Sequence, residues 1–331
     1  MNLRVASKGA RIAPALVAAA AVALLATGSG AGSSTTPITT CGQVVTTNAV
    51  LTQNLTCTAS SGVIVGAAGI TIDLKGFTLT GDRSPNHYGV LDGSYSRVKV
   101  ENGVVRNFYD GVDAGSSANT VTVSNVVASG SVLAGIFICC ASASSSINSS
   151  TVSGNGGDGI ILGGVSARIQ SSNASGNAGH GIEISGGSAS IKSSTASGNG
   201  GNGIYATGDN ASIASSTASG NGSSGIVVVG DSAQIKSAAA SGNAGIGIAV
   251  QGDSASIASS TASGNGNTGI GVVGSSALIK GNLTDANGFP TGVSDGAGPG
   301  IGVVGYTVAP AGTNIAHGND DPSECFPALL C

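Results

Sequence analysis

The chain has 331 residues, of which 12 are Lys or Arg and 16 are Asp or Glu, so its formal net charge is −4. Charged residues make up 8% of the sequence and aromatic residues 3%, against a usual charged share of about 25%. This composition argues against a polybasic surface for nucleic acid or anionic membranes, and it leaves few side chains for chemistry.

Residues 1–31 have the pattern of a secretory signal peptide. Three basic residues precede an apolar run from Ile12 to Ala26, and small residues suited to cleavage follow near positions 28–32. The run is short for a membrane span, and we expect no span in the mature chain. Without the leader, nine basic and 16 acidic residues remain, a formal charge of −7. We therefore predict a secreted protein, either free or associated with the cell surface.

The six cysteines of an exported chain favour disulfide bonds. A rigid stack of coils would hold the two ends of the chain apart, so local pairs are favoured. The predicted pairs are Cys41 with Cys57, and Cys325 with Cys331. For the adjacent residues Cys139 and Cys140, a vicinal disulfide and two free thiols both stay open.

Residues 32–68 are predicted to form an N-terminal cap and lead-in segment, followed by irregular β-helix coils over residues 69–146. Tyr and Arg side chains interleave with acidic residues only in these irregular coils, as they do in carbohydrate grooves. The predicted ligand-binding residues are Asp92, Tyr95, Arg97, Arg106 and Tyr109. The alternative interpretation is that less regular coils near a cap simply carry a more polar surface.

Residues 147–309 contain regular repeats with a period of 22 residues. Asparagines recur at this spacing at Asn155, Asn177, Asn199, Asn221, Asn243, Asn265 and Asn287. Apolar residues alternate at period two, as in Ile204-Tyr-Ala206, and Gly with Asp or Asn interrupts every few residues. A short coil that stacks on its own copies is an all-β parallel β-helix, here a single-stranded solenoid of about 22-residue coils. Residues 310–331 are predicted to be a C-terminal cap or tail.

The asparagine column predicts a structural ladder. Identical amides stacked at the inter-strand spacing of about 4.8 Å can donate and accept hydrogen bonds along the stack, which satisfies polar groups turned inward at a corner. Buried polar groups are nearly always paired in this way. We therefore assign these asparagines to the fold and not to a ligand.

Two segments of the irregular coils, residues 69–81 and 98–112, resemble the leading coils of secreted right-handed parallel β-helix proteins of the pectin-lyase-like superfamily. The segment that begins at Cys41-Gly42 is similar to the start of those chains. The resemblance extends over about residues 41–316 and implies a right-handed superhelix, which is also the hand expected for parallel crossovers. It implies no single activity, because the superfamily includes lyases, hydrolases, epimerases, tailspikes and adhesins.

The segment Gly179-His180-Gly181 is similar to a motif of polygalacturonases, in which a histidine supports a hydrolysis driven by two carboxylates. The paired-Asp motifs of that family are missing from the equivalent positions. Stacking nevertheless predicts that Asp158 and His180 lie on neighbouring coils, with Glu183 and Arg168 on adjoining outward positions. These weak catalytic candidates, Asp158, His180 and Glu183, could bind a metal or a sugar, or act as acid and base. The alternative is that they are solvated surface residues.

Asp209, Asp231 and Asp253 occupy the same turn position in three consecutive coils, so their carboxylates are predicted to form a row. Turn formation after glycine explains these residues without a ligand. A bridging cation is the alternative, and oxygen ligands would select calcium, although only weakly. No other cofactor is expected.

Two functional hypotheses follow. The favoured one is a non-catalytic protein that presents a long face to a polysaccharide or a cell-surface glycan, because near-identical repeats suit binding better than catalysis. The second is a polysaccharide-active enzyme, a lyase or hydrolase of acidic glycans. Ice binding by a flat face is weaker, since the outward column from Arg168 to Leu278 is mixed in composition.

Overall fold

The structure is a computed structural model. It describes residues 35–115, 120–141, 144–288, 301–304, 314–317 and 325–326. Every secondary-structure element in these residues is a β-strand. No helix in this part of the chain is long and apolar enough to cross a membrane.

The strands are short, and they follow one another along the chain in three groups. The first group is β1 (Thr36–Ile38), β2 (Gln43–Val45), β3 (Ala49–Leu51), β4 (Leu55–Thr56), β5 (Val63–Val65), β6 (Thr71–Asp73), β7 (Thr78–Thr80), β8 (Val90–Leu91), β9 (Val98–Arg106), β10 (Val112–Ala114), β11 (Val121–Ser129) and β12 (Ile136–Ala141). The second group is β13 (Ser146–Asn148), β14 (Thr151–Ser153), β15 (Ile160–Gly164), β16 (Arg168–Gln170), β17 (Asn173–Ser175), β18 (Ile182–Ser185), β19 (Ser190–Lys192), β20 (Thr195–Ser197), β21 (Ile204–Thr207), β22 (Ser212–Ala214), β23 (Thr217–Ser219) and β24 (Ile226–Val229). The third group is β25 (Gln234–Lys236), β26 (Ala239–Ser241), β27 (Ile248–Gln251), β28 (Ser256–Ala258), β29 (Thr261–Ser263), β30 (Ile270–Val273), β31 (Leu278–Lys280), β32 (Leu283–Asp285), β33 (Ile301–Val304), β34 (Ile315–His317) and β35 (Cys325–Phe326).

Each coil contributes one strand to each of three parallel columns. Column one is a 13-stranded sheet that runs from β2 through β12, β15 and β18 to β35. Columns two and three share a 22-stranded sheet, in which β9 and β11 each bridge both columns. In the regular repeats β16, β19 and β22 follow one another in column two, and β17, β20 and β23 do so in column three.

The core is a set of inward-facing columns. Because side chains alternate between the two faces of a strand, every second residue points inward. Four inward columns, which start at Ile160, Leu162, Ala167 and Ile169, are buried throughout. Column three adds an inward row that contains Val152 and, in later coils, a series of alanines that were not singled out from the sequence. The predicted all-β parallel β-helix is therefore confirmed.

The asparagines form a continuous ladder at the corner between columns three and one. The backbone N–H and the side-chain amide of Asn199 both donate to Oδ1 of Asn221, at 3.0 Å each. The same amide also donates to the backbone oxygen of Ala174 at 3.1 Å. Each asparagine thus satisfies a corner N–H that no strand partner reaches, which explains why the side chain is buried.

Parallel stacking already begins at the start of the described chain. Strand β1 pairs with β3, and β2 pairs with β5, so residues of the predicted lead-in segment build the first coils. Cys41 and Cys57 form a disulfide bond in these coils. Cys139 is also disulfide-bonded and is therefore not a free thiol. The side chains of Cys325 and Cys331 lie outside the described residues.

Candidate functional site

The candidate site lies on the outer side of column one. Two residue positions in each coil share this side: a corner position before the strand and the outward position three residues later. In the coils from Tyr88 to Tyr205 these positions carry acids, aromatic rings and large apolar groups, and we call them the acidic strip. Its members are Tyr88, Leu91, Asp110, Asp113, Ala134, Phe137, Asp158, Ile161, His180, Glu183, Asn202 and Tyr205.

A glycine separates the corner position from the strand in every coil of the strip. The reason is space: a Cβ on Gly203 would lie 2.6 Å from Nδ2 of Asn221 and 2.8 Å from the backbone oxygen of Gly225. The same crowding occurs at Gly159, where a Cβ would lie 2.6 Å from Nδ2 of Asn177. The asparagine ladder therefore requires this glycine column, and the glycine column sets the position of the acidic strip.

An apolar hollow lies in the middle of the strip. Its volume is about 320 Å³, and its lining includes Phe137, Ile161 and Leu133, with Asp110 at one end and Asp158 at the other. Leu133 is 43% exposed and adds apolar surface to the hollow. Asp110 and Asp158 stand two coil steps apart, a distance of about 9 to 10 Å along the stack.

The N-terminal end of the hollow carries Asp110 and Asp113. Oδ1 of Asp110 accepts the backbone N–H of Ala134 at 2.6 Å, and the residue is only 6% exposed. Burial raises the pKa of Asp110 to about 6, because its hydrogen bond from Ala134 only partly offsets the loss of water. Burial also raises the pKa of Asp113, whose Oδ1 accepts the backbone N–H of Gly115.

The C-terminal end of the hollow brings together the three predicted catalytic candidates. Oδ1 of Asp158 accepts the backbone N–H of His180, and Nδ1 of His180 accepts the backbone N–H of Asn202 at 2.9 Å. The His180 ring stacks on Tyr205 with centroids 5.2 Å apart. Burial raises the pKa of Glu183, and the neighbouring charge of Asp158 raises it further. Asp158 and His180 therefore serve as backbone acceptors as well as surface groups.

The structure distributes the five predicted ligand-binding residues over different parts of the coil. Asp92 is 3% exposed, faces inward and accepts the N–H of Tyr95, while burial raises its pKa. Tyr95 and Arg97 lie after column one, on the side of column two, and Arg106 ends β9 in column three, where its Nε donates to Thr80. Tyr109 alone among the five borders the strip, with its ring edge against Tyr88 at 6.2 Å.

Arg168 does not join Asp158 and His180, contrary to the expectation from the sequence. It belongs to β16 in column two, where it pairs with Ser190, and it therefore faces another side of the coil. The interpretation was wrong because a corner lies between Asp158 and Arg168, and periodicity alone does not show which way the chain turns there.

The row of Asp209, Asp231 and Asp253 is present, and its carboxylates have backbone partners. Oδ1 of Asp209 accepts the N–H of Asp231 at 2.9 Å, and Oδ1 of Asp231 accepts the N–H of Asp253 at 2.8 Å. Oδ1 of Asp253 accepts both the N–H and the hydroxyl of Ser275, and these bonds lower its pKa. Within the described residues, no group of three or more His, Cys, Asp or Glu side chains is placed to hold a metal ion.

Asp110 and Asp113 belong to the polar irregular coils in which the sequence analysis expects a groove, but they were not among the five selected ligand residues, and Phe137 was not predicted as a site residue. A signal was present, because Asp110-Gly-Val-Asp113 and His180-Gly-Ile-Glu183 have the same pattern of acid or histidine, glycine, apolar residue and acid. The pattern was missed because the coils differ in length. Asp110 and Ala134, which are hydrogen-bonded, are 24 residues apart in sequence, whereas Asp158 and His180 are 22 apart. A search at one fixed period therefore misaligns these coils.

Comparison with known protein families identifies the type of β-helix. Residues 134–289 match the family described as right handed beta helix region. The described coils are thus a right-handed parallel β-helix, the fold that the resemblance to the pectin-lyase-like superfamily implied. A comparison with curated protein sequences gave no match.

Solved structures of similar fold include enzymes and a tailspike. The A-module of the mannuronan C-5 epimerase AlgE6 from Azotobacter vinelandii is 18% identical, with a TM-score of 0.48, over 76% of this chain and 85% of that one. The Dettilon tailspike protein is 14% identical, with a TM-score of 0.46, over 82% of this chain and 61% of that one. The pectate lyase Pel9A is 14% identical, with a TM-score of 0.34, over 86% and 71%. These likenesses concern the fold alone.

Proposed function

We propose that this protein is an exported β-helix that binds a glycan along the acidic strip. The observation that carries the proposal is the apolar hollow lined by Phe137 and Ile161, set between the carboxylates of Asp110 and Asp158. Sugar-binding surfaces combine flat apolar groups, which cover the C–H faces of the ring, with polar groups that accept hydrogen bonds from hydroxyls. The strip offers both over consecutive coils, so a linear chain of sugars can follow it.

The coil spacing and the disulfide bond both support glycan binding outside the cell. Neighbouring coils repeat the strip positions at about 4.8 Å, which is close to the length of one sugar unit, so successive sugars would meet successive coils. Export agrees with the disulfide bond between Cys41 and Cys57, since such bonds persist in oxidising compartments. The predicted signal peptide lies outside the described residues.

A glycan array with the mature protein tests this proposal. We expect binding to one class of oligosaccharide, and we expect Phe137→Ala to weaken it at least tenfold, because this ring forms the floor of the hollow. The matched control is Val227→Ala, which changes the same outward position in a coil beyond the strip. Equal losses in the two variants, or no binding to any glycan, would contradict the assignment.

A second candidate function is cleavage of a polysaccharide. It is favoured by one observation: Asp110, with a pKa raised to about 6, faces Asp158 across the hollow. A carboxyl group with a raised pKa is suited to general-acid catalysis, and glycoside hydrolysis uses a second carboxylate, a role open to Asp158.

Product analysis separates the two functions. The mature protein is incubated with neutral and acidic polysaccharides, and reducing ends and unsaturated products are measured. Release of either product, lost in Asp110→Asn, would establish an enzyme and overturn the non-catalytic proposal. Binding with no new ends over a long incubation would support it.

A further inference from the structure

We infer that the glycan bound by the acidic strip carries free amino groups, so that the ligand is a basic oligosaccharide of hexosamine units. The inference rests on the proposed glycan-binding function and names its ligand class. Its basis is the charge balance of the strip, together with the shape of the hollow that separates its two acidic ends.

The strip has four carboxyl groups, on Asp110, Asp113, Asp158 and Glu183, and none of its members is Lys or Arg. Its one histidine, His180, accepts a backbone N–H at Nδ1. In the parts of the chain that the structure describes, the ion pairs are His87 with Asp82 and Lys99 with Glu101, and neither involves the strip. The strip thus contains four carboxyl groups and one basic side chain, His180, whose influence on the pKa of Glu183 is smaller than the opposing effect of burial.

The hydrogen bonds that these acids accept hold them in place without neutralising them. Asp110, Asp113 and Asp158 each use Oδ1 to accept a backbone N–H. A ligand that covers the strip removes further water from four carboxyl groups that have a single histidine as a basic neighbour within the strip. Hydroxyl groups of a neutral sugar would leave the negative charge uncompensated, and a uronic acid would add repulsion. Ammonium groups on the ligand would compensate the charge directly.

The hollow provides a second, independent observation. Its volume of about 320 Å³ lies at the lower end of the range for small-molecule sites, and its lining between the acids is apolar, with Phe137, Ile161 and an exposed Leu133. A sugar ring seated on this lining would place its substituents toward Asp110 on one side and Asp158 on the other. Amino groups on neighbouring sugars would then reach both acidic ends.

The test uses the mature full-length protein, with the glucosamine hexasaccharide and its fully N-acetylated counterpart as probes. Binding is measured by calorimetry at low and at moderate salt. N-acetylation removes the positive charge and leaves the ring unchanged, so we expect it to weaken binding at least tenfold. We expect Asp113→Asn and Glu183→Gln to weaken binding of the glucosamine probe about five- to twentyfold each. Added salt is expected to weaken it as well.

The control variant is Asp209→Asn, which removes a carboxylate far from the strip and keeps an oxygen for the N–H of Asp231. Thermal midpoints of all variants are compared first, so that a folding defect is not taken for a binding defect. Equal or tighter binding of the N-acetylated probe, lost in Phe137→Ala, would overturn the inference and leave the glycan function standing.

Two further outcomes would also overturn the inference. Binding of neither probe, nor of any other glycan, would remove the proposed function as well. Binding of a lysine oligopeptide as tightly as the glucosamine probe, unaffected by Phe137→Ala, would identify a cationic peptide as the ligand. In that case, charge alone would determine the affinity of the strip.

Discussion

The outer side of column one differs between its N-terminal and C-terminal coils, whereas the inner side does not. Up to Tyr205 the outward positions carry acids, aromatic rings and large apolar groups, and beyond it they carry Val227, Ala249 and Gly271. Apart from Asp92, the inward positions of column one are Ile, Leu, Val or Ala in both regions, and they are buried throughout. Stacking therefore fixes the inner residues of every coil and leaves the outer ones free.

This contrast indicates which part of the surface holds the candidate functional site. Residues 211–222 repeat identically at 255–266, which shows how little variation a coil needs when it only has to stack. On the outer side of column one, the C-terminal coils stack with Val227, Ala249 and Gly271, without an acid or an aromatic ring. The acidic strip is therefore an addition to the fold. The residues of the strip also take part in stacking at the corner position, where Asp158 and His180 accept N–H groups of the next coil.

The largest expected effect tests whether the inner ladder is the same in both regions. Asn177→Leu and Asn221→Leu should each lower the free energy of unfolding by about 1 to 3 kcal/mol, because each leaves the backbone N–H of the preceding asparagine without an acceptor and removes one acceptor of its side-chain amide. Chemical denaturation of both variants checks this. Ser212→Leu is the control, since Leu278 occupies the same outward column. A clearly smaller loss at Asn177 would break the equivalence of the two regions.

The second prediction concerns the response to pH. The folded pKa of Asp110 is about 6 because of burial, above the unfolded value of about 3.9. Protonated Asp110 favours the folded state, and this stabilisation is fully present below about pH 4 and is lost as the pH rises through about 6. We expect the free energy of unfolding to fall by about 1 to 3 kcal/mol between pH 4 and 7, and less in Asp110→Asn.

Asp253 in the C-terminal region should change the free energy of unfolding with pH in the opposite direction to Asp110. Its pKa is lowered by the hydrogen bonds from Ser275, so its contribution is present at neutral pH and is lost as the pH falls. Asp253→Ala should therefore destabilise the protein at pH 7 and have no effect at low pH. Unfolding curves measured at several pH values that show the same sign for both residues would contradict this difference.

The third prediction extends the strip into the C-terminal region. Val227 pairs with Tyr205 and faces outward, so Val227→Tyr should change stability by less than about 0.5 kcal/mol. An added ring next to Tyr205 should also raise the affinity for a long oligosaccharide about two- to fourfold, because one more sugar gains a partner. Affinity that does not change with ligand length would show that the strip ends before Tyr205.

The smallest expected effect concerns calcium at the row of Asp209, Asp231 and Asp253. Each of these carboxylates uses Oδ1 for a backbone or hydroxyl donor, so only weak, millimolar binding is expected. Calcium at its dissociation constant would add about 0.4 kcal/mol, roughly one degree in the thermal midpoint. Asp231→Asn should remove most of this shift, and identical melting curves in calcium and in chelator would exclude a calcium site.

The fold could be predicted from the sequence because its constraints are local and repeated. A 22-residue period with alternation at period two determines the number of residues in a coil and which of them face inward. The asparagine ladder follows from the same period, since equal spacing in sequence becomes stacking in space. The turns at Gly208, Gly230 and Gly252 follow from residue type, because these positions have φ values of 113°, 153° and 155°.

The site could not be predicted from the sequence in the same way, because it depends on which residues the coils bring together. Asp110 and Ala134 are 24 residues apart in sequence, so their coils do not follow the 22-residue period. Only strand pairing shows that Asp113, Phe137 and Glu183 share one outward column. Asp92, selected as a ligand residue, falls on the inward phase of its strand and is buried. The raised pKa of Asp110 likewise comes from neighbours two dozen residues away that exclude water. Residue type and spacing determine the repeat, whereas register between unequal coils and burial by distant residues are properties of the tertiary structure alone.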